Sequence, residues 1–276
     1  MGHINEKVGH QTPMSGVHTH MKAVACLRSF VPIGLLSIAL CASVSAQDGL
    51  PLFHEMQKAL GGADPIAAIR DFEQLVHAQT WNNKGKPNAE ENKRTRWIRP
   101  NYIRLDQVGH DNNTYVLFFD GTSGWEILPD KRVLDLVGDE LKFAQGYLLH
   151  LDFKIWLADR DPRYVITSPS RNILQVSDKN DVTNAQDITL DPNSFLPIKQ
   201  TAAPHGHPSR AEPTETRFEE WKMAQGIQFP HRISMVKNGK PLALITVEQI
   251  KLDGGLKPED LARKPADLNP VITPTK

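Results

Sequence analysis

Arg99-Pro100-Asn101-Tyr102-Ile103-Arg104-Leu105-Asp106, followed by Asp120-Gly121-Thr122-Ser123-Gly124-Trp125, is the stretch on which the fold of this chain turns. Each motif is a strand break. At the first, proline removes an N–H and fixes φ, so a strand ending at Arg99 and another beginning at Tyr102 meet at a corner. At the second, Asp-Gly supplies the positive φ that tightens a hairpin, and an aromatic residue restarts the next strand. Two such corners in succession predict a meandering antiparallel sheet, with no catalytic group between them.

The same pattern extends in both directions. Phe72 to Trp81 reads as the first strand, turned by Asn82 to Pro87, and Glu91 to Arg99 as the second. Tyr102 to Val108 follows, then Thr114 to Phe119, apolar enough to be central. Trp125 to Leu128 and Arg132 to Leu136 pair across Pro129-Asp130. After an interruption, strands resume at Tyr164 to Thr167, Asn172 to Val176, Asp187 to Leu190, Leu196 to Ala202 and Thr214 to Trp221. Gln228 to Lys237 and Pro241 to Lys251 flank Asn238-Gly239, the strongest hairpin signal in the chain. The expectation is a mainly β, α+β fold: a single curved antiparallel sheet of about eleven strands.

Helical spacing is confined to two places. Leu52, Phe53, Met56, Ala59 and Leu60 recur at helical intervals and stop at Gly61-Gly62, and Asp64-Pro65 starts a short second helix running to Ile69. In mid-chain, Gly138 to Arg160 carries Leu141, Ala144, Leu148, Leu151, Ile155 and Trp156 at helical spacing, ending at Asp161-Pro162. Tyr147, Leu149, Phe153 and Leu157 widen its apolar surface beyond the single stripe that a surface helix needs. That width predicts packing on two sides, or cover over a cavity.

The ends are read differently. Residues 1–20 are polar and without hydrophobic period; they read as a start-site artefact, and His3, His10, His18 and His20 have no spacing that defines a metal site. Met21 opens a secretory signal over 21–46. Lys22 and Arg28 are its basic region, Phe30 to Leu40 its apolar core and Val44-Ser45-Ala46 its cleavage site. The apolar core is too short to span the ~30 Å of a bilayer. Acylation at Cys41 is the alternative, and Leu40 is a poor residue to precede it. Cleavage after Ala46 leaves 230 residues with no cysteine, which excludes disulfides, thiolate metal sites and a cysteine nucleophile. The remaining 29 basic and 31 acidic residues leave no positive field for nucleic acid or an anionic membrane surface. Residues 47–265 form one domain, expected to be monomeric, and 266–276 a polar, flexible tail.

No reactive constellation stands out. There is no G-x-S-x-G elbow, H-E-x-x-H helix, phosphate loop or paired C-x-x-C, so neither an enzyme nor a cofactor is expected. His231 reads as a strand histidine between Phe229 and Ile233, and His205 and His207 as a solvated loop without a third metal ligand. Glu219 and Glu220 are consecutive on a strand and should point to opposite faces. The chemistry that remains is apolar: Trp97, Tyr102, Phe118 and Trp125 on strands, with Leu141, Tyr147, Leu148, Leu151 and Trp156 on the helical segment, as candidate lining of a cavity or lid.

Ile98 to Arg104, with Asp120-Gly121 and Trp125 four residues after the glycine, resembles the periplasmic lipoprotein-carrier superfamily typified by LolA. More closely, the chain is similar to the acidobacterial-type outer membrane lipoprotein-sorting protein homologues. Leu60-Gly61-Gly62, Leu190 to Ile198 (strand, Asp-Pro turn, Leu-Pro) and Gly226 to Ile233 (Gly, strand, Pro) agree in order and spacing, so the likeness covers roughly Leu52 to Pro265. Two departures stand out: no glycine in Asn172 to Ile188, and Leu261-Ala262-Arg263-Lys264-Pro265 lacking the family's terminal phenylalanine. The resemblance implies an incomplete barrel over an apolar cavity, with the N-terminal helices and Gly138 to Arg160 as a lid. It also implies that Arg99 latches the lid. The implied function is non-covalent carriage of lipid or lipoprotein acyl chains in the periplasm, as in outer-membrane lipoprotein sorting. The alternative is an envelope stress-sensing or interaction module that uses the same half-barrel to hold a protein partner.

Overall fold

The computed structural model describes residues 47–272 except 83, 111–112, 150–151 and 203–213; side chains at 47, 146–153, 181–184 and 202 are also outside the description. The expected artefact at 1–20, the leader at 21–46 with both cysteines, and the loop bearing His205 and His207 all lie outside the described residues. Everything below belongs to the unit Val44–Lys276.

Two antiparallel meanders build the sheet. The first is β2 (Asp71–Trp81), β3 (Pro87–Ile98), β4 (Tyr102–Gly109), β5 (Thr114–Phe119), β6 (Gly124–Ile127) and β7 (Val133–Asp135). The second is β8 (Tyr164–Ser170), β9 (Ile173–Asp178), β10 (Asp181–Leu190), β11 (Pro197–Ala202), β12 (Thr214–Ala224), β13 (Ile227–Lys237) and β14 (Lys240–Leu252). The first and last of these strands join the halves, with β2 paired to β14 from Phe72↔Leu252 to Thr80↔Ala243. A two-residue strand β1 (Gln47–Asp48) adds to β8. The result is one open fourteen-stranded sheet, ordered β1-β8-β9-β10-β11-β12-β13-β14-β2-β3-β4-β5-β6-β7. About eleven strands were expected, a count below the thirteen runs that pattern names, each of which forms a strand; the one strand that pattern misses, β1, is too short to carry a period of two.

Both corner motifs form the expected turns, and they touch. Ile98 pairs with Tyr102 across the Arg99–Asn101 corner, whose Arg99-Pro100 peptide is cis. Gly121 has φ 101°, and the Asp120 carboxylate accepts the Thr122 and Ser123 N–H groups at 2.8 Å each. A Cβ at Gly121 would stand 2.6 Å from the Asn101 Cβ, so glycine is required for conformation and for space. Asn238 and Gly239 both take positive φ, as the tight hairpin between β13 and β14 demands.

Among the described residues, five helices accompany the sheet: α1 (Leu50–Leu60), α2 (Ala63–Ala68), α3 (Gly138–Leu149), α4 (Asp152–Ile155, followed by a 3-10 turn at Ala158–Arg160) and α5 (Pro258–Ala262). Gly61 ends α1 as expected, its N–H and that of Gly62 returning to the Lys58 and Gln57 carbonyls. The second helix begins slightly earlier than Asp64-Pro65 suggested: Gly62 is its N-cap and Asp64 lies in its first turn.

Strand parity assigns two faces. The inner face carries α1 to α4. Phe53, Met56, Leu60 and Ile66 of α1 and α2, with Ala144, Ile155, Trp156 and Ala158 of the mid-chain segment, form one buried cluster with Phe72, Trp97, Ile103, Phe119, Leu174, Ile188 and Phe229 of the sheet. Topology explains why the mid-chain helices lie there. β7 is one edge of the sheet and β8 stands beside the opposite edge, so the intervening chain must cross a face. The outer face carries the C-terminal segment, where Leu261 is buried against Val116, Phe118, Trp125 and Ile127, with Leu256 and Leu268 alongside.

Beneath that segment lies a buried charge network. Arg94 donates to the Glu73 carboxylate at 2.9 Å, Arg104 donates twice to Asp106 at 2.9 and 3.0 Å, and Arg96 also pairs with Asp106. The covering strap is held by its backbone: Arg104 donates to the Leu261 and Arg263 carbonyls, Arg94 to Val271 O, and Val271 N–H donates to Asp106. The described part of the stretch read as a tail, through Ile272, is thus fastened to the sheet.

Candidate ligand-binding site

The apolar residues singled out by sequence divide between the two faces. Trp97, Leu141 and Trp156 belong to the inner cluster, the first and last fully buried and Leu141 packed against them. Tyr102, Phe118 and Trp125 belong to the outer cluster beneath the C-terminal strap, where the Phe118 and Trp125 rings lie 5.7 Å apart. Register is the reason: Trp97 pairs with Ile103 and Ile103 with Phe119, whereas Phe118 pairs with Trp125 on the other side. The side chains of Tyr147, Leu148 and Leu151 are outside the described residues.

On the inner face the mid-chain segment meets the sheet through aromatic rings. Trp156 lies 5.7 Å from Phe229 and 6.3 Å from Trp221, and Phe229 lies 6.0 Å from Phe72. Pattern alone did not single out Trp221 and Phe229 as partners of Trp156, because they come from β12 and β13, brought there by the β14–β2 seam. Polar contacts also link the helices: the Gln57 amide of α1 donates to Trp156 O and to the Asp159 carboxylate, both at 2.8 Å, and His54 Nε2 lies 3.5 Å from the same carboxylate. Arg160 adds an ion pair to Asp64 of α2.

The Arg-Pro corner forms one end of this site. The Arg99 Nε–H donates to the Ile69 carbonyl at the end of α2, at 2.9 Å, and its guanidinium lies over the Trp97 ring at 5.4 Å. Burial lowers its pKa, with Asp253 opposing that shift. Contact with the mid-chain segment is made by its neighbour: Lys154 of α4 donates through Nζ to Asn101 Oδ1 at 3.1 Å. Burial first, then the like charges of Arg99 and Arg163, lower the Lys154 pKa from 10.5 to about 8. Arg163 itself is chelated by Asp161, with contacts of 3.1, 3.1 and 2.7 Å. Lys154 could have been noticed in sequence as a lone cation within the apolar run Phe153-Lys154-Ile155-Trp156.

The other sequence candidates have ordinary settings. The His231 ring shares a hydrogen bond with the Val247 carbonyl of the adjoining strand, 3.0 Å away. Glu219 pairs with Arg232 at 3.2 Å, and Glu220 takes a left-handed φ of 55°, which breaks the strict alternation expected between them; both are exposed. Among the described residues no cluster of three or more His, Cys, Asp or Glu could hold a metal, and no helix is long and apolar enough to cross a membrane. An open cleft of about 720 Å3 lies at the far ends of β2 to β4, lined by Gln79, Trp81, Pro87, Glu90 and His110.

The sequence matches no family profile and no curated protein. Solved structures are more informative. A DUF1329 family protein from Desulfovibrio piger superposes with a TM-score of 0.54 at 13% identity, covering 78% of this chain and 97% of that one. A LolA superfamily protein from Nitrosomonas europaea does so with a TM-score of 0.52 at 14% identity, over 79% and 99%. At such identities the likeness is one of fold. An open antiparallel sheet with helices across one face, matched over nearly the full length of both neighbours, gives this chain the LolA-like fold.

Proposed function

We propose that this chain is a carrier that holds acyl chains of lipids or lipoproteins non-covalently between its mid-chain helices and the inner face of the sheet. The observation that supports this most is the path of the α3–α4 segment. It crosses an open sheet from edge to edge over an aliphatic and aromatic face, and it meets that face through a few rings and the Lys154–Asn101 hydrogen bond, its other polar contacts (to Gln57, His54 and Asp64) going to α1 and α2. A segment attached in this way can separate from the sheet with few hydrogen bonds broken. Acyl chains need nothing more specific, since burial is worth about 0.8 kcal/mol per CH2. Trp97, Leu141 and Trp156 line the site in this reading, and Arg99 steadies it at the corner. Residues 21–46 direct export, and the domain works in the periplasm.

The test is uptake of a fluorescent fatty acid or lipopeptide by delipidated protein, together with mass spectrometry of lipids co-purifying from the native host. Saturable binding near one ligand per chain is expected. Absence of uptake would remove the proposal.

A protein partner is the second reading, favoured by one edge. Val133 and Leu134 of β7, at 39% and 38% exposure, and Val137 at 70% are apolar residues on or beside a terminal strand of the sheet. An exposed edge can accept an added strand.

A further inference from the structure

The corner where α4 meets the sheet is built unlike the rest of the inner face. Three cations meet electrostatically there: Lys154 of α4 lies in the field of Arg99, just after β3, and of Arg163, just before β8. Two are compensated. Arg163 is chelated by Asp161, and Arg99 has Asp253 in its field and the Ile69 carbonyl as acceptor. Lys154 differs. The residue is half-buried, next in sequence to the buried Ile155 and Trp156, and its acceptor is the neutral Asn101 amide at 3.1 Å. Among the described side chains no carboxylate lies within ion-pair distance of it. A structural staple between α4 and the corner would need only a neutral donor. A desolvated ammonium facing two guanidiniums is a poor staple, but a good acceptor site for negative charge.

We propose that this corner is a headgroup subsite, in which Lys154, supported by Arg99 and Arg163, takes the anionic group of the bound amphiphile. The group is a carboxylate or a phosphate. The inference rests on the carrier reading: acyl chains lie along the inner face past Trp97 and Trp156, and the charged end stays at the corner. The cargo class narrows accordingly, from any acyl chain to anionic amphiphiles. A bound anion also completes the field that Lys154 lacks, so it pins α4 to the Arg-Pro corner while the cargo is held.

The experiment is competition against a neutral fluorescent probe, using protein delipidated after export from the full chain. The competitors are dodecanol, dodecanoate, dodecyl phosphate and inorganic phosphate alone. Dodecanoate or dodecyl phosphate should displace the probe at concentrations about tenfold below dodecanol, the advantage of one charge-assisted contact. Whichever is stronger identifies the headgroup. Lys154→Met should bring the charged and uncharged competitors within about threefold of each other while leaving dodecanol unchanged, and Lys154→Arg should keep the preference. A staple role would shift all competitors in parallel, so a preference that survives Lys154→Met overturns the subsite. Equal displacement by all three amphiphiles also overturns it and leaves the carrier standing. No displacement by any amphiphile, dodecanol included, overturns the carrier reading itself. Inorganic phosphate binding as tightly as dodecyl phosphate overturns the coupling of headgroup to chain.

Discussion

Because burial and two neighbouring guanidiniums lower the Lys154 pKa from 10.5 to about 8, the folded protein disfavours the protonated ammonium. The penalty is complete below about pH 8 and is relieved as the pH rises toward 10.5, where the unfolded chain loses its proton too. Lys154→Met should therefore be favoured over wild type more at pH 7 than at pH 10, in denaturant unfolding without ligand. A stability difference that does not change with pH would show the ammonium to be well solvated. At this scale the sequence was partly legible. The Asp120-Gly121 turn could be read because its chemistry is local. The faces of Phe118 and Phe119 could not: a period of two says that neighbours point apart, but not which side the helices cover. Lys154 acquires its meaning only from Arg99 and Asn101, which lie far away in the chain.

Among the elements, the C-terminal strap departs most from what pattern suggests. It is polar and proline-rich, with little hydrophobic period, yet it lies over Arg94, Arg96 and Arg104 and is held by arginine donors to its carbonyls and by the Val271 N–H donated to Asp106. Arg94 and Arg96 alternate along β3 like an exposed strand face. Their acidic partners come from β2 and β4 through the register, so burial could not be inferred from β3 alone. Asp106→Asn would leave three buried guanidiniums facing one carboxylate and, whichever way the amide turns, would point an NH2 at donors that the carboxylate now accepts from, Arg96 or the Val271 N–H. Breaking such a pair costs about 3–5 kcal/mol. The expected outcomes are a matching loss in denaturant unfolding and faster proteolysis beyond Asp253. A variant as stable as wild type would mean that water already serves these arginines. The mid-chain helices were legible in outline, since a helical period bounded by Gly138 and Asp161-Pro162 is a local signal.

For the whole molecule, the open sheet and its meanders could be read from turn chemistry, but the strand order could not. Nothing local in Phe72 to Thr80 or Ala243 to Leu252 says that these strands pair, and that pairing turns two meanders into one sheet. A chain ending at Gly239 keeps the other strands but loses β14 and the C-terminal strap, and should lose cooperative unfolding, because β2 and β13 would each lack a neighbour and Arg94 and Arg104 their carbonyl acceptors. A single sharp transition in that truncated chain would show that one meander is stable alone. The same seam dictates timing. A polypeptide delivered N-terminus first exposes one edge of β2 until β14 arrives, the interval in which that edge is open to aggregation. Formation of this sheet is thus a late event with a high loop-closure cost, and slow relative to helical proteins of its size. Until β14 occupies that edge, β2 can pair with another chain instead of its own.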